Sequence, residues 1–467
     1  MEFLRGPMVL GIDVGTSSVK AVLLDARDRS LLHTHTIDTR AAVPSECGAQ
    51  GREQDVGKII KALNECVMAL PRECLQQVAR IGVCGQMHGV VLWKAKKGCH
   101  WINTGDLRVF EPWEVSRLVT WEDGRCSKEF LAALPPTSSH LSLASGFGCV
   151  TLLWYLKNRV GIFREYDAAG TIQDYVVAML CDLKIPVMSD QNAASWGYYN
   201  TRCKSWDVGT LQGQGFPIDL LPDVEEGGNM AGDTSYDWCG IPQGARVGVA
   251  LGDFQCLVFS AVRQTSDAVL NISTSAQLTF CMPEEWEPRH ILDPADPVTY
   301  FPYMGHRYLA VAASLNGGNV LASFVEMLVQ WTAELGVEIS DSTIYSKVIN
   351  AALSEEETQL TICPTLFGER HNPTGVASAS NITPGGFSLG HVTRALCHGI
   401  IENLHTMMPS HKLEKAGATR IVGSGSALAR NEVLRQEVER AFTLPVVYEK
   451  DVNSAVGVGI IMCLSRR

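Results

Sequence analysis

The residues of this sequence that could do chemistry together are two aspartates, Asp13 and Asp253, and two short turns of small residues. The chemistry would be proton abstraction beside a bound chain of phosphates. Asp253 follows the apolar run Val247-Gly-Val-Ala-Leu-Gly252, and a carboxylate at the tip of a buried strand, next to a glycine, faces a cleft where it can accept a proton. It is the candidate base, although Gly-Asp read alone also fits a helix N-cap. Asp13 lies just before the turn Gly15-Thr16-Ser17-Ser18 and is placed to orient a hydrated Mg2+. Such turns aim backbone N–H groups and hydroxyls at phosphates, and their residues must be small for the backbone to approach the oxygens. Much later, Asp267 to Phe280 repeats the pattern, with Ser273-Thr274-Ser275 standing where Gly15-Thr16-Ser17 stood. One such turn is only a hairpin turn; a duplicated pair facing across a cleft suits a nucleoside triphosphate.

Further loops could complete a site. In Gly85-Gln86-Met87-His88-Gly89, the Gln and His side chains can bond hydroxyls while Met87 packs a ring or chain face. Trp121-Glu-Asp123-Gly-Arg125 offers a carboxylate and a guanidinium in a loop that reads as a solvated turn or as a site. Asn316-Gly317-Gly318 and Gly423-Ser424-Gly425-Ser426-Ala427 each open a helix, and either holds adenosine or caps the helix. The Gly-x-x-x-x-Gly-Lys-Ser/Thr phosphate loop is absent, and Gly423-Ser-Gly425 lacks the third glycine of a dinucleotide fingerprint. His391, His398 and His405 recur every seven residues, a rise of about 10 Å per step on a helix, too far to share one metal ion.

The elements that must position these residues read as α/β. Met8 to Ile12 and Val19 to Asp25 are strands hinged on the first turn, Val56 to Ala69 is an amphipathic helix, and Ala79 to Val83 and Ala245 to Leu251 are strands. After the second hairpin come helices over 319–335 and 389–404, a strand at 420–422 and a closing helix from Ser454 to Leu464. A chain of 467 residues exceeds one ordinary core, so two domains are expected, 1–260 carrying the base and 261–467 carrying the nucleotide. Lys94 to Glu111 reads as a surface insertion.

Composition narrows the partners. A net charge of −11 without any block of Lys and Arg excludes nucleic acid and acidic membrane surfaces as general partners. No apolar run reaches the length of a membrane span, and the run after Pro7 is too short for a signal-peptide core. The 15 cysteines are scattered without a Cys-x-x-Cys pair, as for reduced thiols in the cytoplasm.

Taken together the motifs resemble the FGGY carbohydrate kinases, a branch of the actin and hexokinase superfamily. The resemblance spans nearly the whole chain and rests on Gly11 to Lys20, Gly85 to Gly89, Val249 to Asp253, Gly368-Glu-Arg370, Gly423 to Ala427, and Gly386-Phe-Ser-Leu-Gly-His391 with Gly399 and Glu402. It implies two actin-like, ribonuclease H-like domains around a central nucleotide and sugar cleft, with ATP and Mg2+ as cofactors. It further implies Asp253 as base and Asp13 on Mg2+. Thr16, Ser17, Ser18, Lys20, Ser273, Thr274, Ser275, Asn316, Gly317, Gly423, Ser424, Gly425 and Ser426 would then lie at ATP, and Gln86, Met87, His88, Asp123 and Asp253 at the sugar. Within the family, Gln50 to Asp55, Leu118 to Trp121, Ser189 to Gly197 and Gly368 to His371 are similar to the branch acting on the ketose sedoheptulose at its C7 hydroxyl.

The sequence also departs from the family pattern. Ser273 and Ala276 replace glycines of the second phosphate turn, Thr151 replaces a Lys, and Phe254 stands where xylulose kinases place a sugar-binding Asn. Losing that polar contact argues for a heptulose over a pentulose. The competing class is an actin-like nucleotide switch, which the sugar loop Gln86 to His88 opposes. The expected partners are the sugar and ATP, with the chain a monomer or homodimer.

Overall fold

The computed structural model describes residues 7–289, 296–372, 375–449 and 452–465. Its first sheet starts from three antiparallel strands, β1 (Met8–Val14), β2 (Ser18–Asp25) and β3 (Leu31–Asp38). β1 is apolar along its length because it is buried on both faces, and β4 (Val78–Gly85) lies parallel to it on the other side. β5 (Met230–Asp233), β6 (Arg246–Gly248) and the short β7 (Leu251–Gly252) complete the sheet, in the order β5-β6-β4-β1-β2-β3 with β7 also on β4. Helix α1 (Val56–Met68), capped by Asp55 through Lys58 N, buries Ile59, Ile60 and Leu63 against it.

The second sheet repeats the plan. β8 (Asp267–Ile272) and β9 (Ala276–Cys281) form its hairpin, β10 (Val298–Pro302) and β11 (Tyr308–Ser314) extend it antiparallel, and β12 (Arg420–Ser424) and β13 (Val446–Tyr448) lie parallel beyond β8. Both sheets therefore run from antiparallel strands through the hairpin to parallel strands, the duplicated actin-like plan. Helices α2 (Gly318–Glu334) and α3 (Leu389–Met407) belong to the second unit.

The structure corrects three expectations. The run 245–251 is not one strand: it breaks between β6 and β7, where Ala250 O accepts from Asn192 Nδ2 at 3.1 Å. Asp253 therefore neither ends a strand nor caps a helix; Gly252 is the cap, and Asp253 is the first residue of a helix over Asp253–Ala261. The segment 94–111 is a β-hairpin, Cys99–Thr104 with Leu107–Pro112, turning at Gly105 with φ 64°. Finally, the closing helix α4 (Ser454–Leu464) follows the second unit in sequence but packs on the first sheet. Gly11 lies so near it that a Cβ there would stand 2.1 Å from Ala455 O, and a Cβ on Gly457 would stand 1.9 Å from Cys256 O.

Candidate active site

Asp13 and Asp253 meet at the floor of the cleft because β7 pairs with β4, setting Leu251 beside Cys84 and Gly252 beside Gly85, while Asp13 on β1 lies beside Cys84 from the other side. A Cβ at Gly252 would come 2.4 Å from Gln255 Oε1 and 2.7 Å from Met87 Sδ, so a larger residue there would have to displace the ends of both side chains. Burial pushes both carboxyls well above the usual range, and the charge of Asp253 pushes Asp13 further; Lys20, its cross-strand partner, and the Cys84 thiol pull it back. Asp253 Oδ1 accepts from Phe254 N at 2.7 Å, at the positive end of its helix. Asp13 Oδ1 is buried with no hydrogen-bond donor. An acceptor-only oxygen without a donor, beside a second carboxylate, fits a hard divalent cation, which would also return both groups to their ionised forms.

The two turns flank this floor, and they are not equivalent. In the first, Gly15 N donates to Ser18 O at 3.0 Å, Thr16 O accepts from Gln54 Nε2 at 2.7 Å, and Thr16 Oγ1 accepts from Trp121 Nε1 at 3.1 Å; Ser17 is exposed. In the second, Ser273 N donates to Ser275 O at 2.9 Å and Thr274 is exposed. The cross-strand pair Asp13 and Lys20 becomes Asn271 and Gln277, whose amides bond each other at 3.0 Å. The charge of the duplicated hairpin survives only on the first copy.

The remaining nucleotide candidates gather around the second turn. Gly318 N donates to Ser273 O at 2.8 Å, and a Cβ on Gly317 would come 2.5 Å from Ser275 C. Gly425, with φ 100°, would carry a Cβ 2.3 Å from Ile272 O, and Ser424 Oγ donates to Asn271 Oδ1 at 3.4 Å. Gly423 ends against the Tyr448 ring, and Ser426 opens a helical turn. Asn316 differs from these: it is fully buried, and its carboxamide is used by Gly368 O, Glu369 Oε1 and Phe367 N.

Between the two units, a cleft of about 430 Å3 is lined by Thr16, Asp253 and Ser275 and walled by Met87, His88, Trp121 and Phe301. His88 adopts φ 74°, stacks on Phe147 at 4.5 Å, and bonds Ser195 O through Nδ1 at 2.8 Å. A carbonyl partner assigns the proton to Nδ1, and burial lowers the pKa of the ring to about 4. Nε2 is thus a hydrogen-bond acceptor, suited to a hydroxyl. Gln86 and Asp123 are not on this wall. Gln86 is buried and donates to Gln54 Oε1 at 3.0 Å, so it braces the residue that holds Thr16. Asp123 is buried against Arg125, at 2.7 and 2.9 Å, and Arg52 N, at 2.7 Å; its neighbour Trp121 reaches the cleft instead.

Three contributors were not singled out from the sequence as site residues: Gln54, Phe301 and Arg370. Gln54 and Arg370 lie inside motifs that carried the resemblance, which was the available signal; Phe301 is one apolar residue in a strand and gave none. The histidines at 391, 398 and 405 each face their own carboxylate, Glu355, Glu437 and Glu402, and no metal-holding group of three His, Cys, Asp or Glu occurs among the described residues. Nor, among the described residues, is any helix long and apolar enough to cross a membrane.

Comparison with known proteins places this geometry. Residues 8–260 match the FGGY family of carbohydrate kinases, N-terminal domain. The chain is 57% identical to the sedoheptulokinases of Mus musculus and Homo sapiens, over 98% of its own length and 97% of theirs. It shares the fold of Plasmodium falciparum glycerol kinase, solved with ADP, at a TM-score of 0.78 and 16% identity, covering all of this chain and 90% of that one. A family match over more than half the chain and identity above one half across nearly all of it lead to one conclusion: the protein belongs to the FGGY family of carbohydrate kinases.

Proposed function

We propose that this chain transfers the γ-phosphoryl group of MgATP to the C7 hydroxyl of sedoheptulose. The observation that carries the reading is Asp253 on the floor of a cleft with phosphate-type turns on one side and His88, Met87 and Phe301 on the other. The substrate follows the mouse and human relatives, and the nucleotide follows the family and the ADP in the glycerol kinase. Asp253 takes the hydroxyl proton as the alcohol oxygen bonds to the γ-phosphorus and the bond to the ADP oxygen breaks. A carboxyl whose pKa is raised towards neutrality is well matched to holding that proton. Asp13 would hold Mg2+, which supplies charge neutralisation at the phosphates. The backbone of the turns at 15–18 and 273–275, with Gly317 and Gly425 behind the second, lets phosphate oxygens approach closely. His88 Nε2 accepts from a sugar hydroxyl, and apolar Phe254 replaces a contact a pentulose would use. Closing of the two units over the sugar excludes water, which would otherwise take the phosphoryl group. We assign the reaction to the cytoplasm, feeding the pentose phosphate pathway, with the chain a monomer or homodimer.

The test is ADP release at saturating MgATP with sedoheptulose, xylulose, ribulose, fructose and glycerol in turn. Turnover is expected with sedoheptulose and should fall about 10²–10⁴-fold in Asp253→Asn. Slow ATP loss that is equal with and without every sugar, and unchanged in the variant, would sink the kinase reading.

A further inference from the structure

Arg370 places a guanidinium on the cleft that Asp253, Met87, His88 and Trp121 also line. Its neighbours are firmly held. Glu369 accepts from Ser314 Oγ at 2.5 Å, Asn316 Nδ2 at 2.9 Å and Asn403 Nδ2 at 2.8 Å, and Gly368 O accepts from Asn316 Nδ2 at 2.8 Å. The backbone is thus fixed to the second unit, and the side chain is aimed by it. Among the described residues the guanidinium has no hydrogen-bond or ion-pair partner. It lines the cleft that contains Asp253 and also an adjoining cavity of about 440 Å3, walled by His88, Phe147, Ser195 and Thr299.

Two electrostatic facts place the group along the cleft. Arg370 is exposed, yet the surrounding protein still weakens its ionised form, and its charge in turn helps keep His88 neutral. The charges that act on Asp13 are instead Asp253 and Lys20. Arg370 and His88 line both spaces, whereas Asp253 lines only the first of them. Five fixed N–H donors with no acceptor among the described residues suit a polyol as they suit an anion, and the location decides between them.

We propose that Arg370 is a specificity-determining residue: it donates hydrogen bonds to acceptor hydroxyls remote from the transferred phosphoryl group, favouring a ketose long enough to extend from Asp253 into the adjoining cavity. This rests on the ketose kinase reading. A ketose two carbons shorter, with its terminal hydroxyl at Asp253, leaves the guanidinium unmet. Because the residue is anchored through Glu369 and Asn316 to the nucleotide end, the same contact draws the second unit onto the sugar.

Steady-state kinetics of Arg370→Ala and Arg370→Lys, varying sedoheptulose and MgATP separately, test the proposal, with the thermal midpoint of each variant checking its fold. In Arg370→Ala the KM for sedoheptulose is expected to rise about 10- to 100-fold while the KM for ATP stays within about twofold, and Arg370→Lys should recover part of the loss. A fall in kcat with the sugar KM unchanged would overturn the proposal, because the guanidinium would then serve the transferring phosphoryl group; unchanged kinetics would overturn it as well. A wild type that turns over a different ketose would instead defeat the choice of sedoheptulose, and the same KM comparison on that ketose then decides Arg370.

Discussion

Asp13 is an acid that the fold makes uncomfortable. Its pKa is raised by burial and by Asp253, so the folded chain holds the proton more tightly than the unfolded chain does. The sign follows: a raised carboxyl contributes its stability below the ordinary carboxylate range and loses it as pH rises through the folded value. Asp13→Asn removes the ionisation altogether. The ligand-free variant should therefore melt above the wild type at about pH 8, by roughly 2–4 °C for each kcal/mol relieved, and the gain should shrink towards about pH 5. The same variant should lose the thermal shift that MgADP gives the wild type. Scanning calorimetry at the two pH values checks this; equal midpoints at both would mean that Asp13 is not strained by its burial. At this scale the sequence showed residue types but not their directions. Asp123 and Gln86 have the chemistry of sugar ligands, yet Arg125, two residues on in the same loop, claims the first, and Gln54, 32 residues away, claims the second.

The hairpins were readable as elements because small polar turns interrupt runs of strand-forming residues, and the helices because Asp55, Ser388 and Asn453 cap them. The hairpin at 99–112 had its signal too: Gly105-Asp106 is a two-residue turn, overlooked where polarity suggested an insertion. The break before Asp253 had none, and the Ala250 carbonyl within it is met by Asn192 from a distant helix. What the elements add is a link between the two ends of the site. Gln86 on the sugar loop holds Gln54, and Gln54 holds the carbonyl of Thr16 in the phosphate turn, with Trp121 tying the Thr16 hydroxyl. Gln54→Ala should therefore act at a distance from both ligands, raising the KM for ATP several-fold with a loss of stability of about 1–3 kcal/mol from the unpaired buried groups. Kinetics combined with urea unfolding separate the two effects, and an unchanged KM for ATP would show that the turn keeps its shape without the brace.

On the scale of the whole molecule, the chain crosses between its two units twice, once after Ala261 and again before Ser454. The strands of the two sheets come from 8–252 and 267–448, but α4 covers the first sheet with Val458, Ile461 and Met462 against Val9, Leu24 and Cys84. A fragment ending at residue 261 should consequently unfold without a cooperative transition and aggregate, and a peptide spanning 452–465 added in trans should restore a sharp thermal midpoint. A fragment that melts cooperatively alone would show that α4 is dispensable to the first sheet. The same placement of α4 bears on biosynthesis. A ribosome works from the first residue onward, so β1 and β4 are made early, yet their covering helix emerges only when residue 464 has been reached. The first half must wait, with an apolar face bare, through the making of the entire second half, which leaves folding of the two units to finish together.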